Sequence, residues 1–557
     1  MTRRRRTSFI SVLAAAVTFS IMVSTAASAT PQEPAPPSTT LQPATTTYVP
    51  ISGAGSSWSA NAIDQWRRNV QQFGMRVNYA STGSSDGRNQ FRSGTVDFAS
   101  SEIPYGLTDG GVVDTPPSRK FSYMPIVAGG TSIMYNLTIG DQRITNLRLS
   151  GDTITRIFTG VITSWDHPAI KADNPGITLP ARRIVPVVRS DGSGSTAQLT
   201  GWMASEHRSL WDAYCAKANR PLPCGQTSNF PVLSGSGFVG QPGSQGVAGY
   251  VSQRANVGTI TYVEYSYALK AGYPVAKVLN QAGFYVEPTA SNVAVSLLSA
   301  RINTDTTSSA YLTQILTGVY RSTDPRVYPL SSYSYLIVPT AVEGNFTASK
   351  GETLGAFAYY FLCEGQRQAE ALGYSPLPIN LVEAGLAQVR RIPGVEAQTI
   401  NISRCNNPTF SADGTNTLAQ NAPQPAACDR RGETQCSSGT GGAAEQPTPT
   451  DNSGGTDGGA GADGGSGAGF DTGGESGLDG FGGDGTGSDS SGGGTKICEI
   501  DTGLCQTVAS VPVEIERADS GWTRDTVMML IAALALLATV FLPPMFARVI
   551  RGSRGVS

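Results

Sequence analysis

The chain has 557 residues, of which 15% are charged, and a formal net charge of −2. This charge excludes the basic excess that typifies nucleic-acid-binding proteins, and the length exceeds what one compact domain usually reaches. We therefore expect no nucleic-acid partner and a chain divided into segments of different character.

The N-terminal 47 residues have the pattern of an export signal followed by an extended leader. Four arginines near the start precede an apolar stretch over 9–23, and Ala27-Ser28-Ala29 matches a small-residue cleavage site. We predict a signal peptide over 1–29 and a Pro/Thr-rich leader over 30–47. The body of the protein is therefore expected outside the cytoplasm.

Helix and strand patterns alternate over a globular region from about 48 to 407. Apolar residues recur at helical spacing from Ile63 to Phe73, and short apolar runs at 76–79, 95–99 and 184–188 favour strands. The last run leads directly into a glycine-rich turn and another helical pattern. Strand, tight turn and helix in this order predict an α/β fold with ligands at the carboxyl ends of strands.

Past the globular region the composition changes twice. Residues 437–495 are almost entirely Gly, Ser, Asp and Thr and bury too little apolar surface to offset ordering entropy, so we predict a mostly disordered linker over 408–525. The apolar run 526–547 is long enough for one transmembrane helix. Arginines follow it in 548–557, which predicts a cytoplasmic tail and a single-pass anchor in the cell membrane.

The eight cysteines are an even number in a chain predicted to be exported, which favours disulfides. The sequence does not fix their connectivity. Pairing of neighbours would give Cys215–Cys224, Cys363–Cys405, Cys428–Cys436 and Cys498–Cys505. Because no CxxC spacing occurs and the only histidines are His167 and His207, we expect neither a metal site nor a cofactor.

Three turns rich in glycine and hydroxyl residues each precede a predicted helix: Gly53 to Trp58, Ser81 to Gly87, and Arg189 to Ser195. A helix N-terminus presents free N–H groups and the positive end of the helix dipole, which together suit an oxyanion. One such turn is an ordinary loop. Three in one α/β region indicate a site for a tetrahedral anion, held mainly by neutral donors with Arg189 as its countercharge.

A carboxylate, Glu102, follows the predicted strand over 95–99 and is expected beside this anion site. Hydrogenphosphate carries an O–H at neutral pH that a carboxylate can accept, whereas sulfate carries none and would meet an unpaired, repelling charge. Glu102 therefore favours a protonated anion over a fully ionised one.

Ordered segments of the globular region resemble the PstS family, the phosphate-binding proteins of bacterial ABC-type phosphate importers. These segments are 53–55, 79–87, 95–98, 160–166, 189–194, 262–268, 328–332 and 374–378. The resemblance implies a two-lobed type II periplasmic-binding-protein (Venus flytrap) fold that closes on its ligand. It implies lobe one over 48–127 and 330–407, lobe two over 128–329, and chain crossings near Ala128 and near Tyr328.

The resemblance also implies the partners and the residues that bind inorganic phosphate. ABC permease subunits would receive the anion. The implied phosphate-binding residues are Ser57, the Trp58 N–H, Ser84, Glu102, Arg189, Ser193, the Gly194 N–H and Ser195, with Asp191 orienting Arg189. The family usually has Asp at the position of Glu102 and often Thr at the positions of Ser57 and Ser195.

Two other functions stay open at this point. The long linker is compatible with a membrane-tethered surface receptor, sensor or scavenger of phosphate or another oxyanion that serves no permease. A hydrolase of phosphate esters is the other alternative, but neither His167 nor His207 belongs to a recognisable triad and no carboxylate-rich metal cluster is present. We therefore expect a binding protein without catalytic residues.

Overall fold

The structure is a computed structural model that describes residues 47–308, 310–396, 405, 407–411 and 413–450, together with the backbone of 495–498 and 505–508. Its strands are β1 Ile51–Gly55, β2 Val77–Ala80, β3 Phe98–Ser101, β4 Thr108–Asp109, β5 Val112–Val113, β6 Phe121–Tyr135, β7 Thr138–Ile139, β8 Gln142–Arg143, β9 Arg148–Leu149, β10 Val185–Arg189, β11 Val239–Gln241, β12 Thr259–Glu264, β13 Val275–Leu279, β14 Tyr285–Val286, β15 Arg301–Ile302, β16 Gln314–Ile315, β17 Ser331–Pro339, β18 Thr495–Cys498 and β19 Cys505–Val508.

The α-helices of the described residues are α1 Ala60–Asn69, α2 Ser84–Ser93, α3 Gly151–Phe158, α4 Pro168–Asp173, α5 Gly194–Glu206, α6 Arg208–Lys217, α7 Gly243–Val251, α8 Tyr265–Ala271, α9 Ala290–Leu297, α10 Thr317–Tyr320, α11 Ala348–Leu362, α12 Ile379–Val389 and α13 Thr417–Gln420. Short 3-10 helices cover Val70–Phe73, Glu364–Gln368, Glu370–Leu372, Ala427–Asp429 and Gly441–Ala443.

One mixed sheet runs through both lobes in the order β11-β10-β12-β6-β17-β3-β1-β2. Strands β2, β1 and β3 are parallel to one another, and so are β11, β10 and β12. The predicted strands at 76–79, 95–99 and 184–188 are confirmed as β2, β3 and β10, and the helical pattern after Ile63 is confirmed as α1. Within each parallel group the carboxyl ends share one edge of the sheet, where open α/β sheets bind their ligands.

Separate hydrophobic cores show that the fold is a two-domain α/β fold. The core of lobe one includes Trp66 stacked on Phe361, with ring centroids 5.1 Å apart. The core of lobe two includes Trp165 and Trp211, and a further cluster that contains Val187 covers the other face of its sheet. Each lobe therefore buries most of its own apolar surface, although helix α9, within the predicted bounds of lobe two, contributes to the core of lobe one.

The 15-residue strand β6 passes from one lobe to the other. Its residues through Gly130 pair with β17, and those from Thr131 pair with β12. Strand β6 runs through Ala128, and β17 begins shortly after Tyr328, which are the two positions where crossings are expected. Extended strands at both positions give the lobes a narrow covalent connection about which they can rotate when the cleft closes.

The described residues past lobe one differ from the free linker predicted from 408 onward. Asn407 donates to the Leu377 carbonyl of lobe one at 2.8 Å, and the chain then crosses to lobe two. There Arg148, which is 0% exposed, donates to the carbonyls of Cys428 and Glu433, both at 2.7 Å. The segment is ordered by hydrogen bonds to its backbone, although it has few apolar side chains to bury.

Three disulfides, Cys215–Cys224, Cys363–Cys405 and Cys428–Cys436, join six of the cysteines and match three of the neighbour pairings. For the fourth pairing, the backbone register of β18 and β19 sets Cys498 opposite Cys505. The side chains of that hairpin lie outside the described residues.

The predicted signal peptide over 1–29, most of the leader, the transmembrane helix over 526–547 and the tail over 548–557 lie outside the described residues. Within the described part of the chain, no helix combines the length and the apolar character that crossing a bilayer demands. The chain forms two compact units, and the second, 465–557, contains the antiparallel β18–β19 hairpin.

Candidate functional site

Four helices begin at the cleft between the lobes, each after a strand of a parallel group. In lobe one α1 follows β1 and α2 follows β2, and in lobe two α5 follows β10 and α7 follows β11. Glycine permits two of these tight turns, because Gly55 and Gly83 adopt φ angles of +138° and +100°. The three predicted turns are confirmed as helix N-termini, and α7 adds a fourth set of free N–H groups.

Glu102 follows β3 and is 1% exposed. Its Oε1 accepts hydrogen bonds from Ser56 Oγ at 2.6 Å and Ser334 Oγ at 2.7 Å, and its Oε2 accepts one from Ser84 Oγ at 2.9 Å. Burial raises the pKa of Glu102, and the three hydroxyls counter only part of this rise. The carboxyl is thus held in place by neutral donors, and it faces lobe two.

The contact from Ser334 depends on a local irregularity in the sheet. The pairing of β17 with β6 shifts register between Ser334 and Tyr335. Such a bulge changes the direction in which a strand side chain points. The shift accompanies the contact between Ser334 and Glu102 in the buried centre of β17.

Arg189, at the end of β10, is the cation of the site. Its guanidinium forms a bidentate pair with Asp191, with Nε to Oδ1 at 2.7 Å, and its Nη1 donates to Ser244 Oγ at 3.3 Å. Burial alone would raise the pKa of Asp191, but the hydrogen bonds and charge of Arg189 outweigh it and hold that pKa below its usual range. Ser57 Oγ lies 2.9 Å from Ser244 Oγ and accepts the Ser244 N–H at 3.0 Å, which joins the lobes beside Arg189.

The N-terminus of α5 faces Glu102 at close range. Ser193 caps the helix, its Oγ accepting the Thr196 N–H at 3.2 Å. A Cβ at Gly194 would lie 1.8 Å from Glu102 Oε2, so only glycine fits there with the lobes closed. Ser195 Oγ is buried without a hydrogen-bond partner among the described residues. Buried hydroxyls are nearly always satisfied, so this one indicates a missing acceptor.

The structure brings the sequence-predicted residues together, with one difference in detail. One group comprises Ser84, Glu102 and Gly194, and a second group comprises Ser57, Arg189 and Asp191. The two groups adjoin because Ser56, which contacts Glu102, directly precedes Ser57. The Trp58 N–H, expected to bind the anion, instead donates to Ser56 Oγ at 3.0 Å. With the N–H already engaged, Trp58 contributes to the turn that holds Ser56.

Three functional residues were missed in the sequence: Ser56, Ser244 and Ser334. Ser244 had a usable signal, because Gly243-Ser244 opens a helix in the same way as the three turns that were recognised. Ser334 had no such signal, because it is one of three serines in a strand of sequence SSYSYLIVP.

Comparison with known proteins assigns the family. A family model described as PBP superfamily domain matches residues 26–364. The phosphate-binding protein PstS of Xylella fastidiosa is 32% identical over 342 residues, which are 61% of this chain and 84% of that protein. The chain belongs to the PstS family. The PstS of Pasteurella multocida is 30% identical over 62% of this chain and 91% of its own length.

Among solved structures, a phosphate-binding protein from Stenotrophomonas maltophilia aligns with 66% of this chain and 99% of its own, at 19% identity and a TM-score of 0.46. The residues present in the cleft of this chain fit a tetrahedral anion. Four helix N-termini, Arg189 and the unpartnered Ser195 Oγ are donors, and Glu102 is an acceptor for a protonated oxygen.

Proposed function

We propose that this protein is an extracytoplasmic binding protein that captures inorganic phosphate for an ABC-type importer. The observation that carries the proposal is the unpartnered, buried Ser195 Oγ in the first turn of α5, one residue after Gly194, which lies against the acceptor Glu102. The family membership and the relatives named phosphate-binding protein support it.

The proposed binding residues are Ser57, Ser84, Glu102, Arg189, Ser193, Gly194 and Ser195, with Asp191 orienting Arg189 and Trp58 fixing the turn beside Ser57. Arg189 and Asp191 are already paired, so they add little net charge to the site. The anion would be bound mainly by hydroxyls and N–H dipoles, and such a site avoids burying several full cations.

We propose further that the apolar run over 526–547 anchors the protein in the cell membrane by a single pass, with the two lobes outside and the tail over 548–557 in the cytoplasm. Its support is the length of the run and the arginines that follow it. Membrane fractionation tests this part, because a chain ending at residue 525 should leave the membrane fraction.

Titration calorimetry of the anion-stripped protein with inorganic phosphate and with sulfate tests the ligand. We expect phosphate to bind at micromolar concentration or tighter and sulfate to bind far more weakly. Equal affinities for the two anions, or no heat with phosphate, would show that the ligand is wrong. Co-purification with permease subunits tests the importer, and its absence would favour a receptor or scavenger.

A further inference from the structure

A two-stranded hairpin of lobe one, β4–β5, reaches across the mouth of the cleft. Its turn residues Gly110 and Gly111 have φ of +60° and +88°, the backbone that a two-residue hairpin turn requires. Asp114, just past the hairpin, pairs with Arg88 and Arg92 of α2. The base of the hairpin is therefore fixed to lobe one, on the helix whose N-terminus carries Ser84.

The Asp109 side chain of this hairpin binds donors that all belong to lobe two. Its carboxylate accepts the Ser228 N–H at 2.9 Å, Ser228 Oγ at 3.0 Å, Asn229 Nδ2 at 3.2 Å and Arg220 Nη1 at 3.0 Å, and it also accepts Thr227 Oγ1. Five donors on one carboxylate outnumber the roughly four lone-pair sites of its two oxygens, so its acceptor capacity is fully used. Opening the cleft would break all five contacts together.

The loop that Asp109 contacts also supports the anion-binding helix. The Ser228 carbonyl accepts the N–H of Ser193, the N-cap of α5, at 2.9 Å. Thr227 and Thr200 of α5 exchange two hydrogen bonds, both at 3.0 Å. Asp109 thus acts on the loop that holds the α5 N-terminus, although it contacts no proposed phosphate-binding residue itself.

We propose that Asp109 is a positioning residue that latches the closed conformation and slows release of the bound anion. The Asp109 latch comprises Asp109 and its partners Arg220, Thr227, Ser228 and Asn229. Because its contacts exist only with the lobes closed, its loss raises the dissociation rate constant far more than it lowers the association rate constant. The role in anion release rests on the proposed function, whereas the role in closure does not.

The latch is tested by stopped-flow kinetics of inorganic phosphate release from the full chain. Hydrogen bonds to a charged group are strong enough that Asp109→Ala should speed release by roughly 10- to 100-fold, with association changed less than about threefold. The release rate of Asp109→Asn, which retains an acceptor oxygen, should lie between the rates of wild type and Asp109→Ala. The matched control Asp141→Ala, an exposed carboxylate in the β7–β8 hairpin turn, should leave release unchanged.

Two further measurements separate the latch from a fold defect and from a wrong ligand. The melting temperature without phosphate should be equal in wild type and Asp109→Ala, and a clear drop would assign Asp109 a merely structural role and overturn the proposal. Spin labels at Gln72→Cys in lobe one and Lys171→Cys in lobe two should report a shift toward the open form in Asp109→Ala, even if phosphate proves not to be the ligand. Unchanged release and unchanged label distances would refute the latch.

Discussion

The close approach of Gly194 to lobe one makes Gly194→Ala a sharp test of the closed site. The added Cβ would lie 1.8 Å from Glu102 Oε2 and 2.7 Å from Ser84 Oγ, about 1.6 Å and 0.7 Å short of the 3.4 Å at which ordinary contact begins. Overpacking of this kind costs about 1–3 kcal/mol, so phosphate binding should weaken roughly 5- to 150-fold. Both obstructing atoms belong to lobe one, so the open form should accept the alanine without strain.

Calorimetric titration and thermal unfolding without ligand together decide this prediction. The binding constant should fall while the melting temperature of the ligand-free protein changes little. Gly201→Ala is the matched control on the same helix, because its Cβ would meet only Gln226 at an ordinary 3.5 Å and alanine favours a helix interior. Equal phosphate affinity in Gly194→Ala and Gly201→Ala would refute the closed geometry of the site.

Three other substitutions test separate parts of the structure. Glu102→Gln should reduce the ratio of phosphate to sulfate affinity, measured by calorimetry, by roughly 10- to 100-fold, because the site loses a charged acceptor and its repulsion of sulfate. An unchanged ratio would show that Glu102 does not determine the selectivity between the two anions. Glu264→Gln should flatten the pH dependence of the melting temperature. Burial raises the Glu264 pKa well above its usual value, so the wild type loses stability as pH rises from the unfolded-state pKa toward the folded-state pKa. Identical pH profiles of the melting temperature in the two proteins would contradict this. Arg148→Met should lower the free energy of unfolding, measured in urea, by about 3 kcal/mol or more, because it leaves buried carbonyls without donors. The control Arg254→Met, at an exposed position, should change it by less than about 0.5 kcal/mol. Equal effects of the two substitutions would contradict the packing of the C-terminal segment.

The sequence predicted those parts of the site that local pattern determines. The run before Arg189 forms a strand, and the glycine turn after it begins a helix, all within a dozen residues. Spacing alone is therefore sufficient to predict this part of the site. The same reasoning placed Ser57 and Ser84 at helix starts. Ser334 could not be found in this way, because its contact with Glu102 accompanies a register shift between strands about 200 residues apart in the chain.

The C-terminal segment over 413–450 shows a different limit of sequence reasoning. Its composition predicts disorder when order is judged by apolar burial alone. In the structure, Arg148 of lobe two donates to the carbonyls of Cys428 and Glu433 and so holds the segment on that lobe, and this contact is not visible in the composition of the segment itself. Hydrogen-bond partners supplied by a distant part of the chain decide the outcome.

The carboxylates of the cleft differ in what balances their charge, and this difference bears on ligand choice. Asp191 is paired with Arg189, and Asp109 with Arg220. Among the described residues, no ion pair within 4.0 Å involves Glu102, whose oxygens accept only serine hydroxyls. An anion bound beside ionised Glu102 must therefore either bring a proton or meet an unbalanced charge in a buried site. Hydrogenphosphate brings that proton and sulfate does not, so the arrangement of charges around Glu102 favours phosphate independently of the family to which the chain belongs.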